Sequence, residues 1–258
     1  MISIVVVNYN TDHHLQGCLG SLAAHRAAAS YEVVVVNNGK PLPRESLDIS
    51  GLDFRLVNNP HNIGYAAALN QGIFLTQGPQ VLCLNADTRL PDGSVEPLSE
   101  YLSNHEEAGL VAPRLSYPDG SLQYSCRRRY NYRSILGRRL PLGVLPMVEP
   151  SLRHHLMLDE CHDRVLKPDW VQGSCMMIPR RVINEIGDFD ERFFLYFEDY
   201  DYCARVVDAG YDVIYQPEAN VTHFYARSSA NLNVLRKEVW HHATSAMRYL
   251  RKSANKSF

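Results

Sequence analysis

The sequence predicts an α/β fold on a mostly parallel central sheet, and two observations carry that expectation. Apolar, β-branched runs recur through the first half without polar alternation, "SIVVV" at 3–7, "EVVVV" at 32–36 and "QVLCL" at 80–84. Strands buried on both faces read this way. Segments of helical period follow several of these runs, as parallel connections require. The 258 residues, 45% apolar with a formal charge of −2, have the composition of a folded globular chain able to bury a sizeable core.

Taken in order, the first strand runs into Asn8-Tyr9-Asn10 and a helical segment from about 13 to 29. The second ends on Asn37-Asn38-Gly39 and a loop. "FRLV" at 54–57 passes through Asn58 and Asn59 to a helix in "GYAAALNQGIFL" (64–75). The strand at 80–84 passes through Asn85-Ala86-Asp87 to a helix in "GSVEPLSEYLSNH" (93–105). After Pro113 the alternation stops. A hairpin turn falls at Pro118-Asp119-Gly120, and residues 126–168 read as irregular, with Pro141, Pro146, Pro150 and Pro168. Order returns with one strand across "DWVQGSCMMI" (169–178), a short helix in "RRVINEIG", the stretch "FFLYFEDYD", a helix stopped by Gly210 and a strand in "YDVIYQP". Residues 1–230 are expected to form one domain, in halves 1–112 and 113–230, followed by a basic amphipathic helix over 231–258.

That last segment places Val234, Val239, Ala243, Ala246, Met247 and Leu250 at helical spacing among Arg236, Lys237, Arg248, Arg251, Lys252 and Lys256. It is expected both to dock on the domain and to touch an anionic membrane surface. Six cysteines without C-x-x-C spacing read as small buried hydrophobes in a reducing compartment. No leader pattern and no apolar window of about 18 residues is visible, so the expected location is cytoplasmic, with peripheral contact at the inner face of the plasma membrane. The six arginines of "RRRYNYRSILGRR" (127–139) fit a solvated loop and a phosphate-binding lid equally. With the chain net acidic, nucleic acid is not an expected partner.

Ligands of parallel sheets bind beyond the carboxyl ends of the strands, where this chain places Asn8, Tyr9, Asn37 and Asp87. Neither G-x-G-x-x-G nor a Walker loop stands there. Asp87 alone reads as a turn acid and His223 alone as an ordinary histidine. Together they could hold a divalent cation completed by diphosphate oxygens and water. In "FFLYFEDYD", Asp201 and Arg205 stand at helical i,i+4 spacing, and Glu198 and Asp199 favour the helix dipole. A cap needs one acid and no aromatic floor. A carboxylate in apolar surroundings is a better proton acceptor, so a base in a water-poor cleft fits better.

"SIVVVNYN", "EVVVVNNG", "NNPHNIGYAAALNQGI", "VLCLNADTRLP", the block from Gly173 to Gly210 and "PEANVTHFYARSS" resemble glycosyltransferase family 2 in order and spacing. The likeness is to the bacterial branch that includes rhamnosyltransferases of surface-polysaccharide (O-antigen) assembly, and covers the chain except about 126–168. It implies a GT-A fold, 1–112 as the nucleotide-binding half and 113–230 as the acceptor and catalytic half. It also implies a hexosyltransferase using Mg²⁺ or Mn²⁺ and inverting the anomeric carbon. The donor expected is dTDP-rhamnose first and a UDP-sugar second, and the acceptor a growing, lipid-linked glycan; the alternative is an inactive sugar-nucleotide-binding scaffold. By the same resemblance Val7, Asn8, Tyr9 and Asn37 hold the nucleobase, Asn62, Gly64 and Asn70 border the nucleotide, and Asn85 and Asp87 form the D-x-D pair. His223 is the late metal ligand, and Asp199 is the base with Glu198 as rival. Two positions depart: Asn37 stands where Asp is common, and Asn85 leaves Asp87 as the only acid of its motif, which predicts weak metal binding without donor.

Overall fold

The computed structural model describes residues 1–25, 30–47, 49–130, 149–224, 244–245, 247–249 and 252. Strands β1 (Ile2–Asn8), β2 (Tyr31–Asn37), β3 (Phe54–Asn58) and β4 (Gln80–Asn85) pair in parallel in the order β3-β2-β1-β4. The sheet continues through β10 (Cys175–Pro179), β6 (Ala108–Ser116), β11 (Asp212–His223) and β5 (Thr88–Arg89), with β7 (Leu122–Gln123) beside β6, making nine strands. Pairing is parallel again between β6 and β11 and antiparallel at β10 and β5. The α/β expectation holds.

Period-two geometry sends successive side chains to opposite faces, so an uninterrupted valine run feeds two cores. Ile4, Val6, Val33, Val35, Leu82 and Leu84 pack with Leu15 and Leu19 of helix α1 (Asp12–Ala23) and Leu98 of α3 (Glu96–Asn104). Val5, Val7, Val34, Val36, Val81 and Cys83 pack on the other face. Their partners are Leu69 of α2 (Tyr65–Phe74), Val182 of α5 (Arg180–Ile186) and Val206 of α6 (Glu198–Asp208). All six cysteines are free and all but Cys161 are buried.

Several elements differ from the expectation. The strand foreseen across 169–178 is two: β9 (Trp170–Val171) pairs with β8 (Cys126–Arg127) in a separate ribbon, and β10 joins the main sheet. Residues 172–174 break it, and the Gly173 N–H turns to the Asp199 carboxylate at 3.1 Å instead of a strand partner. β11 runs on to His223, with a register irregularity between Gln216 and Asn220. The 112/113 boundary falls inside β6, so the two halves share one strand. Within 126–168 lie β8 and a short helix, α4 (Glu149–His155), whose Pro150 sits in the first turn where no N–H is needed. The hairpin turn is present, with the Gly120 N–H on the Tyr117 carbonyl.

Of the arginine-rich loop, Arg127, Arg128 and Arg129 are described, and they serve the fold. Arg127 is buried with its guanidinium on the Cys126 carbonyl, Arg128 lies 3.6 Å from Glu160 and Arg129 3.5 Å from Asp208. Arg133, Arg138 and Arg139 lie outside the described residues, as do Arg236, Lys237, Arg251 and Lys256 of the C-terminal segment. The described part of that segment docks on the domain, Tyr249 packing against Tyr200 with ring centroids 4.6 Å apart. No described helix is long and apolar enough to cross a membrane.

Candidate active site

Chain reversal at the end of β4 builds the first half of the site. Thr88 donates its hydroxyl to the Asn85 carbonyl, closing the turn, and β5 then pairs with the end of β11, His223 opposite Thr88. The Phe224 N–H on the Asp87 carbonyl at 2.8 Å completes the join. This brings His223 Nε2 to 3.4 Å from Asp87 Oδ1, the imidazole buried and the carboxylate partly open. Nδ1 meets Gln123 Oε1 at 2.9 Å. A carbonyl oxygen can only accept, so Nδ1 carries a hydrogen toward Gln123 and Nε2 is the ring atom that faces Asp87.

Two ligands about 2.1 Å from one small divalent cation stand no more than about 4.2 Å apart, and an outer acceptor on the far ring nitrogen is the usual support of a ligating histidine. Asp87 and His223 therefore fit a cation between them. A three-residue grouping, His25, Asp92 and Glu96, also brings ligand atoms within 4.8 Å of one another. Its imidazole is already engaged, Nε2 on the Leu90 carbonyl and Nδ1 on the Tyr31 hydroxyl, both at 2.9 Å, and none of the three lines the cleft described next.

The second half comes from α6. Asp87, His223, Asn85, Glu198 and Asp199 border a single cleft with Tyr65, Gln172, Gly173, Ser174, Leu195 and Tyr196. Asp199 accepts the Gly173 N–H on Oδ2 at 3.1 Å and the Tyr200 N–H on Oδ1 at 2.8 Å. A Cβ at position 173 would stand 3.1 Å from the Asp199 Cβ, so the close approach favours glycine. The chain enters α6 through two left-handed aromatic residues, Tyr196 (φ 68°) and Phe197 (φ 71°). Bulky residues rarely adopt that conformation, and such strain gathers where function fixes it. Of the four aromatics, Tyr196 lines the cleft, while Phe193 and Phe197 are core residues.

Glu198 is 6% exposed and its Oε2 has no hydrogen-bond partner among the described residues. Burial first, and the neighbouring Asp199 charge second, push its carboxyl well above the usual range. A carboxyl with a raised folded-state value costs stability as pH climbs through its unfolded value and toward the folded one. Glu198→Gln is therefore expected to raise the melting temperature at pH 8, the gain shrinking toward zero as pH falls to about 4.3. Thermal melts from pH 4 to 8 check this; a gain independent of pH would refute it.

The remaining sequence-predicted residues lie at the carboxyl ends of β1 and β2 and on the loop into α2. Register places Val7 beside Asn85 and Asn8 beside Asn37. Asn8 donates to Asn37 Oδ1 at 3.0 Å, and Asn37 donates to Asn58 Oδ1 and the Lys40 carbonyl. Both amide groups are thus engaged with the protein, while Tyr9 is 54% exposed. Asn62 accepts the Gly64 N–H. Gly64 has φ 92°, and a Cβ there would meet the Phe194 carbonyl at 2.9 Å. Asn70 exchanges hydrogen bonds with the backbone of Phe189 and reaches Glu191. Asn70 thereby holds the loop that carries the aromatic-acid stretch, Gly64 lets it pass close by, and Asn62 shapes the turn before Gly64; none of the three lines the cleft. Sequence reasoning missed Tyr65, whose hydroxyl donates to the Gly173 carbonyl at 3.0 Å, and Gln123, which lies 100 residues from the histidine it orients.

This sheet and its flanking helices have the GT-A fold of glycosyltransferases. The solved structure of GalNAc-T7 with UDP, GalNAc and Mn²⁺ superposes with a TM-score of 0.68 at 16% identity over 92% of this chain and 45% of that one. The mannosyltransferase PcManGT of Pyrobaculum calidifontis with GDP-Man and Mn²⁺ gives 0.60 at 16% identity, covering 98% and 75%. The chain belongs to Glycosyl transferase family 2, which matches residues 3–164, a span that holds Asp87 and ends before Asp199 and His223. It is 28% identical over 246 residues to the N-acetylglucosaminyl-diphospho-decaprenol L-rhamnosyltransferase of Mycobacterium tuberculosis, covering 89% of this chain and 78% of that protein. To the low-salt glycan biosynthesis hexosyltransferase Agl10 of Haloferax volcanii it is 27% identical, covering 79% and 61%.

Proposed function

We propose that this chain moves a sugar, rhamnose first, from a nucleoside-diphosphate donor to a hydroxyl of a growing, lipid-linked surface glycan, with inversion at the anomeric carbon. The observation that carries this reading is the half-buried Asp199 carboxylate bordering the same cleft as the Asp87–His223 pair. Asp199 takes the proton of the acceptor hydroxyl as its oxygen bonds to the anomeric carbon. The bond from that carbon to the diphosphate breaks on the opposite face, and the nucleoside diphosphate leaves with the electron pair. Asp87 and His223 would hold Mg²⁺ or Mn²⁺, which when bound offsets the charge growing on the leaving group. Exposed Tyr9 presents a ring for the nucleobase above the floor made by Val7, Asn8 and Asn37. The mycobacterial relative's name supports rhamnose and a polyprenyl-diphosphate acceptor, and the carrier proposed is dTDP before UDP.

Contact with an anionic membrane surface through the C-terminal segment belongs to the same reading. Arg248 and Lys252 face the domain, so it would rest on other residues of that segment. The test is nucleotide release from a panel of dTDP, UDP and GDP sugars with a polyprenyl-diphosphate acceptor, with and without Mn²⁺. Metal-stimulated release, greatest from dTDP-rhamnose, is the expected result. Donor binding without release from any sugar would favour an inactive sugar-nucleotide-binding protein.

A further inference from the structure

The loop between α5 and α6, residues 187–197, carries Leu195 and Tyr196 into the cleft and delivers the chain to Asp199. A loop of this length with two left-handed aromatics needs external restraint to hold one conformation. From inside the domain, Asn70 grips Phe189, and Arg205 reaches the carbonyls of Ile186 and Asp188. The Tyr65 N–H holds the Phe194 carbonyl at 2.8 Å and Asn70 also reaches Glu191, and further restraints come from the far end of the chain. Ser245 donates to the carbonyl of cleft-lining Leu195 at 3.0 Å, and Arg248 bonds the Arg192 carbonyl.

Lys252 is the centre of this contact. Its ammonium lies 2.8 Å from Asp190 Oδ2 and 2.6 Å from Asp201 Oδ1, and 5.8 Å from the centroid of the Phe193 ring. The Asp201 side chain is 3% exposed, with Arg205 on its other oxygen at 3.0 Å. One cation thus ties the start of the loop to the first turn of α6, two residues from Asp199. Removing it would leave one oxygen of a buried carboxylate without its charged partner, which is costly.

We propose that Lys252 is a positioning residue for the transfer reaction, and that the C-terminal segment holds the acid-bearing loop in its working shape. The idea rests on the functional reading above. It deepens that reading by making Ser245, Arg248 and Lys252 part of the apparatus that aims Asp199. Displacing a reacting group by about 1 Å can cost up to roughly 100-fold in rate.

The test compares Lys252→Met and Lys252→Arg with wild type in the full chain by amide hydrogen exchange, steady-state kinetics and thermal melting. Lys252→Met is expected to raise exchange across residues 190–201 while leaving β1 and β4 protected. It should lower kcat roughly 10-fold with donor KM nearly unchanged, and Lys252→Arg should recover most of the loss. A merely structural lysine would lower the melting temperature without this split of kcat from KM. Wild-type exchange, or wild-type kcat despite faster exchange, would overturn the proposal. Should Lys252→Met not fold, Asp190→Asn cuts the same tie at its more exposed end and is expected to move both readouts in the same direction. A wild-type chain inactive on every nucleotide sugar would sink the functional reading, and the exchange measurement would still decide whether Lys252 holds the loop.

Discussion

Asn in place of Asp199 is expected to leave donor affinity nearly unchanged and to lower turnover by roughly 10²–10⁴-fold, the range for loss of a general base. The cleft places Asp199 where it can act: its carboxylate is half-buried and held by the Gly173 and Tyr200 N–H groups. The amide keeps the size of the side chain and one of its two acceptor oxygens, so one of those bonds is lost and the local shape persists. What disappears is the capacity to take a proton. Glu198→Gln is the matched control, because burial and the neighbouring Asp199 charge both disfavour the ionised form that a base must present. Its turnover is expected to stay within a few-fold of wild type. Donor titration and single-turnover transfer measured on both variants settle the assignment. Near-normal turnover in Asp199→Asn with collapse in Glu198→Gln moves the base by one residue; near-normal turnover in both removes the general-base step.

Such a prediction can be framed because much of the architecture is local in origin. Valine runs over 3–7 and 32–36 require burial on both faces whatever lies around them, and the polar residues ending them mark the carboxyl edge. The helix after Phe197, its stop before Gly210 and the Asp201–Arg205 pair at 3.0 Å are likewise set within a few residues. Long-range contact decided the rest. "DWVQGSCMMI" has the composition of one strand, yet breaks at Gly173 because the Asp199 carboxylate, 26 residues on, takes its N–H. Gln123 sits in an ordinary hairpin sequence and acquires its meaning only when β11 brings His223 against it. The resemblance puts Asn37 at the nucleobase, and only the fold reveals that Asn8 and Asn58, its neighbours across the sheet, bond its amide. Lys252 reads as one of six basic residues on an amphipathic helix. Only the folded chain sets it between two acids more than fifty positions away.

Asp87→Ala is expected to abolish the Mn²⁺-dependent part of transfer while leaving the melting temperature close to wild type. The fold has little at stake there, since the side chain lies at a strand end, is 23% exposed and faces the His223 ring. A divalent cation held here would have a great deal at stake. With Asn85 in the first position of the motif, Asp87 is its only negative charge, and a neutral amide and an imidazole cannot replace a carboxylate's charge toward a hard divalent cation. His223 alone should then hold the ion poorly even when a nucleoside diphosphate is present. Gln123→Met separates ligand from support: it leaves Asp87 and His223 in place but removes the acceptor that fixes the imidazole tautomer. Its expected cost is roughly 10–100-fold in metal affinity, the range seen for outer partners of ligating histidines. Mn²⁺ binding followed by electron paramagnetic resonance with dTDP or UDP present, together with transfer rates across a Mn²⁺ titration, reads both variants. Rising Mn²⁺ should restore Gln123→Met and fail to restore Asp87→Ala. Full Mn²⁺-stimulated activity in Asp87→Ala would remove the metal from this end of the cleft and leave the acid–imidazole pair as a structural contact between β4 and β11.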